Sequence, residues 1–255
     1  MASFLKKLAW LSIIGVPLWF VSAAFGYKFG VWGLGTGLKA MVFNWGKYVL
    51  FAGLGLGVLA LIASVMSKPR KAGGIFVSLL AIAIPVLGLV KADGVRKTAQ
   101  SLPFIHDITT DTINPPVFTS AIMDVRGAVK GVNTADYIGK LDGREKKPVA
   151  DLQRAAYADI APIVSGDSPA LAYEKSLDAL RALGFDVVTR DMAGGIIEAT
   201  DTTFWYGFKD DIIVRVRPVE GGGSIIDMRS LSRVGGSDLG KNASRVRAFT
   251  KIIGK

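Results

Sequence analysis

Three uncharged, strongly apolar stretches fill most of the first ninety residues: 8–26 (LAWLSIIGVPLWFVSAAFG), 48–66 (YVLFAGLGLGVLALIASVM) and 73–90 (GGIFVSLLAIAIPVLGLV). Each is close to the ~20 residues that cross a hydrocarbon layer as a helix. An open chain in lipid satisfies its own backbone only as a helix, so Gly53, Gly55 and Gly57, and Pro17 and Pro85, are expected as close-packing and kink positions. The remaining sequence alternates polar and apolar residues as a water-soluble domain does. The expected fold class is a membrane α-helical module followed by an α+β domain. Its parts are the module at 1–92, a tether at 93–103 and the soluble domain at 104–255.

The charges divide at the same place. Eleven of the 31 basic residues but only one of the 21 acidic residues, Asp93, precede Ser101, so the soluble part carries twenty of each sign. The net charge of +10 therefore belongs to the helical module and its tether. There it suits anionic lipid headgroups, and membrane lipids are the first expected partner. Nucleic acid is excluded as a partner, because phosphate binding needs a basic face on the domain that docks.

Orientation follows from the short-loop charges. Lys6 and Lys7 share a side with the turn at 67–72 (SKPRKA), which gathers Lys68, Arg70 and Lys71. Retaining that side in the cytoplasm places the C-terminal domain outside it, although Lys28, Lys39, Lys47, Lys91, Arg96 and Lys97 lie on the other side. Residues 1–23 also have the layout of a signal peptide ending at Val21-Ser22-Ala23, and cleavage there would leave two spans and the same external domain. Without cysteine there is no disulfide, cysteine nucleophile or thiolate metal site.

The polar tether extends at most about 45 Å, which keeps the soluble domain near the membrane surface. Residues 127–150 hold few large apolar side chains and read as an exposed loop or an elaboration. Ser168-Pro169 starts a helix that Gly184 stops. Strands are expected at 185–189, 196–206, 211–218 and 224–234, paired into hairpins through DMAGG and VEGGG, and a closing helix at 237–253. Two helices then cover one face of an antiparallel sheet, giving an open-faced, two-layer domain.

Four ordered blocks carry a family resemblance: 105–118 (IHDITTDTINPPVF), 153–163 (QRAAYADIAPI), 198–218 (EATDTTFWYGFKDDIIVRVRP) and 228–249 (MRSLSRVGGSDLGKNASRVRAF). They resemble the signature of the domain of unknown function 1499 family. The resemblance implies a bacterial or plastid-related setting, and some bacterial members carry membrane spans before the domain. It brings no catalytic residue. Tyr157-Ala158-Asp159 departs from the family pattern, in which Pro often separates the aromatic from the acid, and this affects local loop geometry.

Two constellations stand out as binding candidates. Phe204, Trp205, Tyr206 and Phe208 crowd a strand end, where strand alternation sends neighbouring rings to opposite sides. They either divide between core and strand cap or form a platform for headgroups, a partner helix or an amphipathic ligand. Arg215, Arg229 and Arg233 share a sheet face with Asp227 and Arg217. They form either a solvated ion-pair lattice or an anion site, since guanidinium groups grip carboxylate or phosphate in pairs. Asp201, Asp210 and Asp211 lack the loop spacing of a calcium site. His106, the single histidine, lies beside Asp107 and Asp111 with neither a GxSxG nor an HExxH context, so it reads as a hydrogen-bonding loop residue. The glycines of SRVGGSDLG match no phosphate-loop spacing, and Asn242-Ala243-Ser244 is a sequon inside an expected helix.

No catalytic residue, metal ligand or cofactor is assigned. The expectation is a multi-pass protein of the bacterial inner membrane with a periplasmic binding domain. It would serve as an accessory or assembly factor, with a membrane protein as its second partner. The rival readings are an enzyme on a lipid-linked or anionic envelope substrate, using His106 and nearby acids, and a carrier of an amphipathic ligand with the aromatic run as its mouth.

Overall fold

The computed structural model describes residues 2–69 and 72–254, with side chains from Lys7 onward. Arg70 and Lys71 of the basic turn lie outside the described residues. The chain divides into two units, one of residues 1–97 with 204–207, the other of 98–203 with 208–255.

The helical unit contains α1 (Ala2–Lys28), a π-helix (Gly35–Asn44), α2 (Gly46–Met66) and α3 (Ala72–Ser101). Lys7–Lys28, Gly46–Met66 and Ala72–Ser101 are long and apolar enough to cross a membrane. The π-helix and α2 run back along α1. Trp19 Nε1 donates to the Met41 carbonyl at 2.9 Å, and Trp32 Nε1 donates to that of Ala23 at 3.2 Å. Small residues make the close approach, as membrane helices require without a hydrophobic drive between them. A Cβ on Gly53 would lie 2.5 Å from Val16, and one on Gly57 would lie 2.8 Å from the Ala81 backbone. Ser12 Oγ donates to the Ala81 carbonyl at 2.9 Å, so a buried hydroxyl ties α1 to α3. Helix α3 outruns its apolar stretch. Most of the expected tether is helical as far as Ser101, because nothing stops the helix before Pro103 disfavours helical backbone at Leu102.

The second unit is an α+β region with a six-stranded antiparallel sheet packed against helices. Its elements are β1 (Asp107–Thr109), α4 (Ser120–Gly127), α5 (Val149–Ala156), β2 (Ile163–Ser165), α6 (Pro169–Ala182), β3 (Asp186–Asp191), β4 (Ile196–Thr202), β5 (Lys209–Pro218), β6 (Ser224–Ser232) and α7 (Lys241–Ile253). The order is β1-β6-β5-β4-β3, and β2 joins β6 at residues 224–226, beyond β1. The expected hairpins form through residues 192–195 and 219–223. Gly195, at φ 67°, is required in the first, since a Cβ there would meet the Val216 carbonyl oxygen at 2.2 Å.

Helix α6 begins as its sequence dictates, with Ser168 Oγ accepting from the Leu171 amide and Pro169 in the first turn. Helix α7 starts four residues later than its periodicity suggests. Leu239 and Gly240 have φ of 53° and 79°, which breaks the helix, and Asp238 then accepts from the amides of Gly240 and Asn242. Ala172, Tyr173, Leu177 and Leu180 of α6 and Val246 and Phe249 of α7 bury one sheet face with Ile197, Ile212, Val214 and Met228.

The second sheet face is not open. Phe118 and Ile122 pack on Ile213 and Leu231, and Glu198, Asp211, Asp227 and Arg229 are all buried. Residues 127–150 are not merely an exposed loop either, because Tyr137 and Val149 enter the main core.

Candidate functional site

The polar sheet face is a buried set of ion pairs. Arg229 donates to both carboxylate oxygens of Asp107, at 2.9 and 2.8 Å, and to the carbonyls of Pro116 and Ala135 at 3.0 and 2.6 Å. Its guanidinium also lies 5.3 Å from the Phe118 ring centre. Asp211 accepts from Arg126 Nη1 at 2.7 Å, Arg233 Nη2 at 2.7 Å and Thr200 Oγ1 at 3.0 Å. Asp227 is shared by Arg215 and Arg217 at 2.9 and 2.8 Å. Glu198 accepts from the Thr119 amide and hydroxyl at 2.7 and 2.6 Å, where a carboxylate complements the start of α4.

Arg215, Arg229 and Arg233 are thus brought onto one face, each gripping a carboxylate of the chain itself. The lattice is buried rather than solvated, because α4 and its flanking loops lie over it. Asp201 and Asp210 pair with Arg245 at 2.6 Å each. Among the described residues, no three His, Asp or Glu side chains converge as a metal site.

His106 precedes β1 and has both ring nitrogens engaged. Nδ1 lies 3.1 Å from the Gly236 carbonyl, which only an N–H can satisfy, so Nε2 is left to accept from Lys140 Nζ at 3.1 Å. Burial, then the Lys140 charge, lowers the His106 pKa below its ordinary value. Burial likewise lowers that of Lys140, whose Nζ also donates to the Thr134 carbonyl and lies 3.8 Å from Asp107. Asn242 is fully buried, its amide donating to the His106 carbonyl and accepting from Ser230 Oγ, so the sequon is closed to modification.

The aromatic run is a turn, not a strand end. Strand β4 stops at Thr202, and Gly207 at φ 65° lets residues 203–208 reverse the chain, with the Thr203 amide donating to the Phe208 carbonyl at 2.8 Å. Strand alternation therefore does not apply to Phe204, Trp205, Tyr206 and Phe208. The Phe204 and Trp205 rings meet edge-on at 5.4 Å and are 68% and 55% exposed. Tyr206 and Phe208 are half-buried.

A cleft of about 310 Å³ opens on the second unit, between Thr110, Thr112, Arg154 and Tyr157 and the apolar Ile160 and Pro162. Arg154 Nη1 donates to Thr112 Oγ1 at 3.1 Å. Arg126, Lys140 and Gln153, the last bonded to the Thr109 backbone and the Tyr137 hydroxyl, are network members that the sequence did not single out. The first two lie in a stretch without periodicity, and Gln153 carries no charge to draw notice.

A family model described as "Protein of unknown function (DUF1499)" matches residues 107–253, from β1 to the end of α7. No curated protein matches the chain.

Proposed function

We propose that this chain, which belongs to the DUF1499 family of proteins of unknown function, is a membrane-anchored binding protein, an accessory or assembly factor of a membrane complex. Its three apolar helices hold the domain beside the bilayer, and the domain faces the periplasm of a bacterial inner membrane. The observation that carries the reading is the state of the groups best suited to chemistry. Both nitrogens of His106 are engaged, and Arg215, Arg229 and Arg233 all hold carboxylates of the chain. These groups build a rigid polar scaffold, and binding falls to what the scaffold displays. Phe204 and Trp205 offer an exposed aromatic pair of the kind that anchors protein contacts. The partner is a membrane protein.

A photo-crosslinking residue at Trp205 of the full chain, expressed in native membranes, tests this. One discrete adduct, absent when the same residue replaces exposed Val188, supports the reading. His106→Gln retaining full complementation of a deletion strain supports it further. A well-folded His106→Gln protein without function would favour the enzyme reading. The cleft favours a carrier as a second reading, because its Arg154 rim and apolar wall suit an amphipathic anion.

A further inference from the structure

In the helical unit, three lysines from three different segments fall at one height. Packing fixes the register. Gly53 lies against Ser12 and Val16, Gly46 against Phe20, and Gly37 against Ala23, while Trp19 bonds to Met41. Lys39 and Lys47 therefore stand level with residues 19–22 of α1. Helix α3 runs parallel to α1, with Ala81 bonded to Ser12 and Gly88 against Leu50. The ten residues from Ala81 to Lys91 rise about 15 Å and the eight from Ser12 to Phe20 about 12 Å, so Lys91 reaches the same level within a single turn.

Helix lengths mark that level as a boundary. Lys47 to Met66 and Ala72 to Lys91 each span nineteen steps, about 29 Å, which matches the ~30 Å hydrocarbon thickness. Helix α1 continues past the level for eight residues, about 12 Å, to Lys28. All three lysines are exposed, and the first 92 residues contain no acid. Trp45 and Tyr48, 59% and 55% exposed, meet edge-on at 5.9 Å beside them, and Lys47 Nζ lies 4.8 Å from the Tyr48 ring centre. Amphipathic rings sit at headgroup level, and a lysine can rest its stem on acyl chain while its ammonium meets phosphate.

We infer that Lys39, Lys47 and Lys91, with Trp45 and Tyr48, form a belt that gathers anionic phospholipid headgroups of one leaflet, at the start of α2 and partway along α1 and α3. The inference rests on the reading that the helices cross a membrane, and adds where the boundary lies and which lipid it selects.

The test uses the full chain in phosphatidylcholine vesicles containing phosphatidylglycerol, with either lipid brominated to quench tryptophan. Quenching by brominated phosphatidylcholine alone reports insertion, and its absence overturns the membrane reading together with the belt. Given insertion, the expected result is brominated phosphatidylglycerol enriched several-fold around the protein. Each lysine near an anionic surface is worth roughly a fivefold preference. Lys39→Gln, Lys47→Gln and Lys91→Gln combined should lower the enrichment several-fold, to what the basic residues of the opposite side maintain, and the three Lys→Arg changes should keep it whole. Millimolar inorganic phosphate should not compete, since the partner is a leaflet. If the triple Gln protein does not insert, the single variants are read instead, each expected to lower the enrichment. No preference in the wild type, preference undiminished in all the Gln variants, or loss of it to free phosphate would each overturn the belt.

Discussion

Arg229 on β6 holds Asp107 on β1 through two hydrogen bonds, 2.9 and 2.8 Å long, closing 122 residues of sequence. The pair fastens edge strand β1 to β6, its neighbour in the sheet. It is walled by Phe118 and Tyr137, at 5.3 and 5.6 Å from the guanidinium. A buried pair in such walls adds little net stability, because desolvation offsets attraction, yet breaking it strands a charge.

Asp107→Asn should therefore destabilise the domain strongly. Leaving Arg229 without its counter-charge is expected to cost about 3–5 kcal/mol. Thermal unfolding of the detergent-solubilised chain, followed by hydrogen exchange of β6 peptides, should show a drop of roughly 10 °C in that unit. A variant within one or two degrees of wild type would show that water enters the site and solvates Arg229.

Asp211 carries a heavier duty, being the anion for both Arg126 and Arg233. Asp211→Asn is expected to cost more than Arg126→Met, because the first leaves two buried cations facing one another and the second leaves Asp211 still paired. In a double-mutant cycle the combined loss should fall short of the sum of the single losses by about 1–3 kcal/mol, as for residues sharing one network. Additive losses would mean that the two arginines are held independently of Asp211.

The legible parts of this fold were those with a period or a cap. The three apolar stretches, the Ser168-Pro169 start of α6 and the four longer strands all announce themselves that way. Strands β1 and β2 are three residues each, too short to hold a period, and their pairing with β6 is a tertiary fact. The cover over the polar face was hidden for a similar reason. Residues 111–148 carry Phe118, Ile122 and Tyr137 at no regular spacing, so a face lined with Asp and Arg looked solvated when it is enclosed. The aromatic run misled because Phe, Trp and Tyr favour strands. Gly207 was the signal of a turn, and its φ of 65° is the reason it is there. Sequence grouped Arg215, Arg229 and Arg233 correctly on one face, but their partners at Asp107 and Asp211 depend on the fold.

His106 should make stability fall on mild acidification. Its pKa is lowered in the folded state by burial and by Lys140, so the unfolded chain, titrating near 6.5, binds the proton first. Stability is therefore intact above about pH 6.5 and declines as the pH falls from there towards the folded value. His106→Gln removes the titrating ring while its amide can still donate to Gly236 and accept from Lys140. Urea unfolding of the full chain at pH 7.5 and at pH 5 should show a smaller acid-induced loss in the variant than in the wild type. Equal losses would assign the pH dependence to other groups.

The proposed orientation predicts that alkaline phosphatase fused after Ser101 is active. The basic side at Lys6, Lys7 and Lys68 should be retained in the cytoplasm, and three crossings then bring α3 out on the far side. A fluorescent fusion at the same position with no phosphatase activity would reverse it and leave the belt facing the cytoplasmic leaflet.

Glycines 55 and 57, one step either side of Leu56 in α2, should respond with opposite signs to the same change. A Cβ on Gly57 would lie 2.8 Å from the Ala81 carbonyl carbon and 2.9 Å from its oxygen, both backbone atoms that cannot move aside alone. Gly57→Ala must push α3 away, loosening the Ser12 hydroxyl bond to the same carbonyl, and overpacking of this kind costs about 1–3 kcal/mol. Nothing lies within 4 Å of a Cβ on Gly55, so Gly55→Ala should be neutral or gain up to about 1 kcal/mol from reduced chain entropy. Melting of the helical unit in detergent, read from the tryptophans of α1, should separate the two variants by several degrees. If both shift alike, α2 and α3 are not packed backbone to backbone at Gly57, and the register that aligns Lys91 with Lys47 falls with that contact.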